Sequence, residues 1–120
     1  MLTDPSGTFN DVYSYYPNNL NIGWIIDPPG DDPITLEITY LDTYSSGYDW
    51  LRVYDGIDSS APLLGEYSKN YYSTSRIEIS TNGIMFIEFT TDSLGRDPGF
   101  RAQYWVSSIN SKYYLKIMEI

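Results

Sequence analysis

Apolar residues in this chain recur at every second position, in short runs broken by turn-forming residues. Ile34, Leu36 and Ile38 alternate with Thr35, Glu37 and Thr39; Leu51 and Val53 alternate with Arg52 and Tyr54. Ile77 and Ile79 alternate with Arg76, Glu78 and Ser80, while Met85, Ile87 and Phe89 take one face of the next run. A period of two means one buried and one wet face, the pattern of an antiparallel sheet. Turns are marked at Pro17-Asn18-Asn19, Asp27-Pro28-Pro29-Gly30, Ser45-Ser46-Gly47, Asp55-Gly56, Asn82-Gly83 and Asp97-Pro98-Gly99. Asn82-Gly83 is expected to join the two runs around it as a hairpin. β-branched and aromatic residues crowd the runs, and no window carries helical periodicity with caps. The expected fold is all-β, a two-sheet antiparallel sandwich.

The length of 120 residues suits one domain, and 42% hydrophobic residues are enough to fill its core. Cysteine and histidine are both absent. Disulfides, thiolate metal sites, Cys–His pairs and Ser-His-Asp triads are therefore excluded within this chain. Paired carboxylates remain, but Asp55, Asp58, Glu66 and Asp97 read as turn and surface residues, so no enzyme activity is expected. A net charge of −9 disfavours nucleic acid and anionic lipid surfaces, and favours basic partners and hard cations. No apolar stretch is long enough for a membrane-spanning helix, so no membrane insertion is expected. Met1-Leu2-Thr3-Asp4-Pro5 does not open a signal peptide; if the chain is secreted, this is a processed or excerpted form.

Thirteen tyrosines include the pairs Tyr15-Tyr16, Tyr71-Tyr72 and Tyr113-Tyr114. On a strand each pair offers one ring to the outside, suited to protein or sugar contacts; tyrosine is also simply a good residue for a half-buried strand.

An ordered set of landmarks narrows the fold further. Gly7-Thr8-Phe9 leads to Tyr16-Pro17-Asn18-Asn19 and then to Trp24 with Ile26. Ile34-x-Leu36-x-Ile38-x-x-Leu41-Asp42 precedes Tyr48-Asp49-x-Leu51-x-Val53-x-Asp55-Gly56. Leu64-Gly65, Met85-x-Ile87-x-Phe89-x-x-Asp92 and Gly99-Phe100-x-Ala102-x-Tyr104 complete the series. Together these resemble a CUB domain over roughly residues 7 to 106. The resemblance implies a jelly-roll-like sandwich in an extracellular protein, secreted or at the cell surface, that recognises proteins or sometimes carbohydrate. It also implies a first disulfide at the positions of Ile22 and Ser46, and a further cysteine at Leu64. With none present, apolar Ile22 and Leu64 are expected to fill the space.

Many CUB domains bind calcium (Ca2+) at one end of the sandwich. The family's second and third acidic ligands match Asp49 and Asp92. Tyr44 stands where its glutamate is expected, and Asp42 lies two residues earlier on the same strand face. Asp42, Asp49 and Asp92 are thus the candidate metal ligands, with carbonyls around Ser93 to Gly95 completing a shell of six to eight oxygens. Loop capping by Asp49 and Asp92 is the alternative. In calcium-binding relatives a partner's lysine or arginine reaches the same carboxylates, which suits an acidic chain.

The domain is expected to occupy residues 1–106, leaving 107–120 as a further strand or linker. There Tyr113, Leu115 and Ile117 alternate with Tyr114, Lys116 and Met118. Three fates are open: an edge of its own sheet, the start of a next domain, or a neighbour's sheet in a self-associating filament or oligomer. The functions under consideration are accordingly a calcium-dependent protein-recognition module, a self-assembling structural subunit and a carbohydrate-binding module.

Overall fold

The computed structural model describes residues 1–10, 18–43, 49–68, 70–71, 76–92 and 99–106. Nine strands run through them: β1 (Ser6–Asn10), β2 (Asn21–Ile26), β3 (Ile34–Asp42), β4 (Trp50–Tyr54), β5 (Leu63–Tyr67), β6 (Asn70–Tyr71), β7 (Arg76–Ile79), β8 (Met85–Thr90) and β9 (Gly99–Val106). They form two antiparallel sheets. One has the order β1-β9-β3-β6, with β7 also paired to β3; the other has the order β2-β8-β4-β5. The core fills the space between them and includes Ile26, Ile34, Leu36, Ile38, Leu41, Leu51, Val53, Met85, Ile87, Phe89, Phe100, Ala102 and Tyr104.

A β-bulge explains the one break in the alternation. On β3 the apolar residues fall at 34, 36 and 38 and then at 41. Opposite β9 the register steps from Ile38↔Ala102 directly to Tyr40↔Arg101. The extra residue shifts the phase of the strand by one, so Leu41 is buried against the core like Ile38.

Three expectations need correction. Asn82-Gly83 does not close a hairpin: β7 pairs with β3, whereas β8 pairs with β2 and β4, so this turn crosses between the sheets. Asp55 fixes the crossing by accepting hydrogen bonds from the Thr81 N–H (3.0 Å) and the Thr81 hydroxyl (2.7 Å). Asp55 is therefore a buried clamp, not a surface residue. Gly83 itself has φ 73°, and a Cβ there would come within 2.9 Å of the Asp31 backbone.

The faces of β7 are also the reverse of the expected ones. Ile77 and Ile79 are 55% and 53% exposed, while Glu78, opposite Leu36, faces inward. The Glu78 carboxylate accepts a hydrogen bond from the Tyr67 hydroxyl and lies in space that a side chain at Gly65 would occupy. The glycine, the tyrosine and the inward carboxylate together set the phase of the strand, and alternation then turns both isoleucines outward. An inward charge on an edge strand is also a known guard against edge-to-edge pairing.

Trp24 lies between the sheets but on the edge strand β2, and it is half-buried. Its ring sits 5.5 Å from Phe9 and 5.1 Å edge-on from Phe100, which in turn meets Phe89 at 5.4 Å. Ile22 and Leu64 pack against the core as partly buried residues, and Ser46 is outside the described residues.

Candidate functional site

β3 ends, β4 begins and β8 ends at one end of the sandwich, and a seam of buried polar groups runs there. Asp49, immediately before β4, is fully buried. Its Oδ1 accepts a hydrogen bond from the Asp92 N–H at 2.9 Å, joining positions far apart in sequence. The Asp49 carbonyl accepts a hydrogen bond from the Ser68 hydroxyl at 2.8 Å, and Ser68 Oγ lies 3.3 Å from Thr43 Oγ1. The Asp92 carbonyl accepts from the Asn19 N–H at 2.8 Å. Asn19 adopts φ 57°, a left-handed conformation that asparagine tolerates in a turn. The seam thus ties both sheets to the loop before β2.

Of the three expected ligands, Asp49 and Asp92 are brought together. Asp42 stands at the last position of β3, opposite Gly99, and is 9% exposed. Among the described residues no group of three or more acidic side chains is placed to hold a metal ion. Tyr44 and the Ser93–Gly95 carbonyls fall outside the described residues. A carboxylate offers about four lone-pair directions, and the Asp92 N–H occupies one at Asp49 Oδ1, so that bond does not prevent ligation of a cation. The hydrogen bond to Asp92 also makes the loop-capping role of Asp49 a geometric fact. Capping and ligation are compatible, because a carboxylate that braces two loops is already positioned at their junction.

Thr43 and Ser68 had no signal in the sequence. A hydroxyl on the strand flank is indistinguishable by type from a solvent-facing one, and only the pairing of β4 with β5 brings Ser68 to Asp49. The tyrosine pairs at 15–16 and 113–114 lie outside the described residues, as do Tyr72 and the side chain of Tyr71. On the outer face of the four-stranded sheet, the Arg52 guanidinium covers Trp50 at 5.3 Å and pairs with Glu66 at 3.1 Å. Next to it Tyr54 and Phe86 pack with centroids 6.0 Å apart.

The profile of the CUB domain matches residues 2–104. The chain belongs to the CUB family. The match begins before the Gly7 landmark because Leu2 already belongs to the sandwich: it forms a parallel bridge to Ile26, with its N–H 2.7 Å from the Ile25 carbonyl. The exoskeleton protein RP43 of Riftia pachyptila is 38% identical over 86% of this chain, and the alignment takes in 25% of that protein. Cubilin of Rattus norvegicus is 34% identical over 90% of the chain, which is 3% of cubilin's length. This CUB domain therefore spans a small part of the curated relatives it matches. Among solved structures, the Ca2+-bound CUB2 domain of MASP-1 superposes with a TM-score of 0.72 at 19% identity, covering 88% of this chain and 96% of that one. The rat MASP-1 CUB1-EGF-CUB2 fragment gives a TM-score of 0.76 over 93% of this chain and 44% of its own. CUB domains are interaction modules without catalytic activity of their own, usually in extracellular proteins, and the exoskeleton protein, cubilin and neuropilin are extracellular or cell-surface proteins.

Proposed function

We propose that this domain is an extracellular protein-recognition module whose contact surface is the acidic end of the sandwich, braced by calcium. The observation that carries the reading is the Asp49–Asp92 hydrogen bond, which fixes two acidic positions from separate loops at one place. Asp49 and Asp92 would hold the ion, with Asp42 at the neighbouring strand end as third acidic residue. Backbone carbonyls and water would complete the oxygen shell that calcium prefers. The ion's chemistry is electrostatic: it offsets the mutual repulsion of the carboxylates and stiffens the loops that carry them. A chain of net charge −9 attracts basic partners, and a lysine or arginine of the partner is the natural complement to these carboxylates.

The test is a fluorescence-anisotropy titration with a labelled lysine- and serine-containing peptide, in several millimolar calcium and in chelator. Binding is expected in calcium, weaker at high salt, and lost in Asp49→Asn and Asp92→Asn. Binding that is equal in both variants would place recognition elsewhere on the domain.

A further inference from the structure

The outer face of the four-stranded sheet sets aromatic rings beside charges. By register Phe86 of β8 and Tyr54 of β4 stand side by side in one row, and Glu88, Arg52 and Glu66 in the next. The Phe86 and Tyr54 rings pack with centroids 6.0 Å apart and planes 33° from parallel. The Phe86 ring leans over Gly23, which stands opposite Glu88 and where a Cβ would come within 2.6 Å of the ring. Both rings are half-buried, so the shelf they form beside Glu88 keeps a side open to solvent.

The charges in the second row do not balance. Arg52 reaches Glu66 at 3.1 Å and the Thr90 hydroxyl at 3.4 Å, and covers Trp50 at 5.3 Å. Glu88, on the other side of Arg52, has neither an ion pair nor a hydrogen bond among the described residues. One negative charge is thus left over, half-buried beside aromatic rings. Its field reaches them: burial, and after it the charge of Glu88, raise the Tyr54 phenol above its ordinary pKa.

We infer that this face takes an arginine of a partner protein, its guanidinium stacked on the Tyr54–Phe86 shelf and hydrogen-bonded to the Glu88 carboxylate. Charge complementarity calls for a cation, and the surroundings choose among cations. Calcium needs six to eight oxygens, far more than one carboxylate supplies. An ammonium is compact and strongly hydrated, and aromatic walls would strip its water without replacing it. A guanidinium is planar and weakly hydrated, stacks on rings and presents a fork that matches a carboxylate. The same face already holds one in this manner, since Arg52 lies over Trp50 while paired with Glu66. Glu88 with its two rings repeats that arrangement, with the cation to come from outside. The surface adjoins the acidic end, because Trp50 directly follows Asp49, but it needs no calcium.

The test is an amide NMR titration of the nitrogen-labelled domain in chelator, which separates it from the calcium reading. The probes are a capped Gly-Arg-Gly peptide and the same peptide with citrulline, the neutral isostere, in place of arginine. Saturable shifts are expected from the arginine peptide at Gly23, Tyr54, Phe86 and Glu88, with the citrulline peptide weaker by roughly tenfold or more for want of the charged hydrogen bond. Glu88→Gln should weaken the arginine peptide by a similar factor, and it leaves no protein group unpaired, so folding is preserved. Tyr54→Leu, which keeps the row apolar, should weaken it less, through the lost stacking alone. Shifts centred instead on Asp49 and Asp92, equal binding of the citrulline peptide, binding unchanged in Glu88→Gln, or no saturable shift would each overturn the inference. Shifts on this face from maltotriose but not from the arginine peptide would overturn it in favour of carbohydrate.

Discussion

Ser68→Ala isolates the polar seam from every other part of the molecule. The hydroxyl donates to the Asp49 carbonyl at 2.8 Å and stands 3.3 Å from Thr43 Oγ1, and all three residues are buried. Alanine fits the same space, so no cavity of consequence forms. What is lost is one partner of two buried polar groups, each costing about 1–3 kcal/mol when left unsatisfied. Thr43 and Asp49 each have further interactions, and the expected loss is taken at about 2–3 kcal/mol rather than the sum of the extremes. In a domain of 120 residues about 1 kcal/mol moves the melting temperature by roughly 4 °C, so a fall of roughly 8–12 °C is expected. Urea unfolding followed by tryptophan fluorescence gives the free energy, and an unchanged m-value would show that the change lies in stability alone. Ser60→Ala is the control. Its hydroxyl bonds Asp58 at the exposed turn, and such surface changes stay within about 0.5 kcal/mol. A Ser68→Ala loss as small as the control's would mean that the seam is open to water and does not join the sheets.

Two further outcomes are expected. Trp24→Ala removes a half-buried ring between Phe9 and Phe100 and should cost about 2–4 kcal/mol in urea unfolding, at or below the range for fully buried aromatics; a loss under about 0.5 kcal/mol would contradict its place between the sheets. Burial, and secondarily the charge of Asp4, hold the Tyr104 phenol above its ordinary pKa, while its hydroxyl donates to the Asp4 carbonyl. A raised folded-state value favours folding below the unfolded pKa near 10 and is lost as pH rises through it, so Tyr104→Phe should make the fall in stability above about pH 10 less steep.

Where burial on both sides of a strand pair dictates side-chain type, the sequence is explicit. The spacing Ile34-x-Leu36-x-Ile38-x-x-Leu41 already contains the bulge, because a buried face that resumes one residue late has no other regular solution. Asp49 and Asp92 became candidates through the family landmarks alone, and the hydrogen bond from the Asp92 N–H to Asp49 Oδ1 shows that the fold brings the two positions together. The faces of β7 were not legible. Ile77 and Ile79 have the composition of a buried face, and what turns them outward is Glu78 seated over Gly65 against Tyr67, a contact between strands of different sheets. For the same reason Asn82-Gly83 has the local chemistry of a hairpin, while the clamp from Asp55 to Thr81 makes it a crossing between sheets. Local chemistry selects a turn; the partners of the flanking strands depend on contacts that no short window contains.

The measurement that bears most directly on the proposed function is the melting temperature of the wild-type domain as calcium is raised to about 10 mM, a range that covers extracellular calcium modules. An ion bound only by the folded state adds about 1.4 kcal/mol at ten times its dissociation constant, a rise of about 5–6 °C. Magnesium should do less, since it holds its water more tightly and demands a stricter octahedron. That rise is expected in the wild type and its loss in Asp49→Asn and Asp92→Asn; a wild-type curve unmoved at the highest calcium, or a rise that survives both substitutions, would exclude a calcium site at these carboxylates.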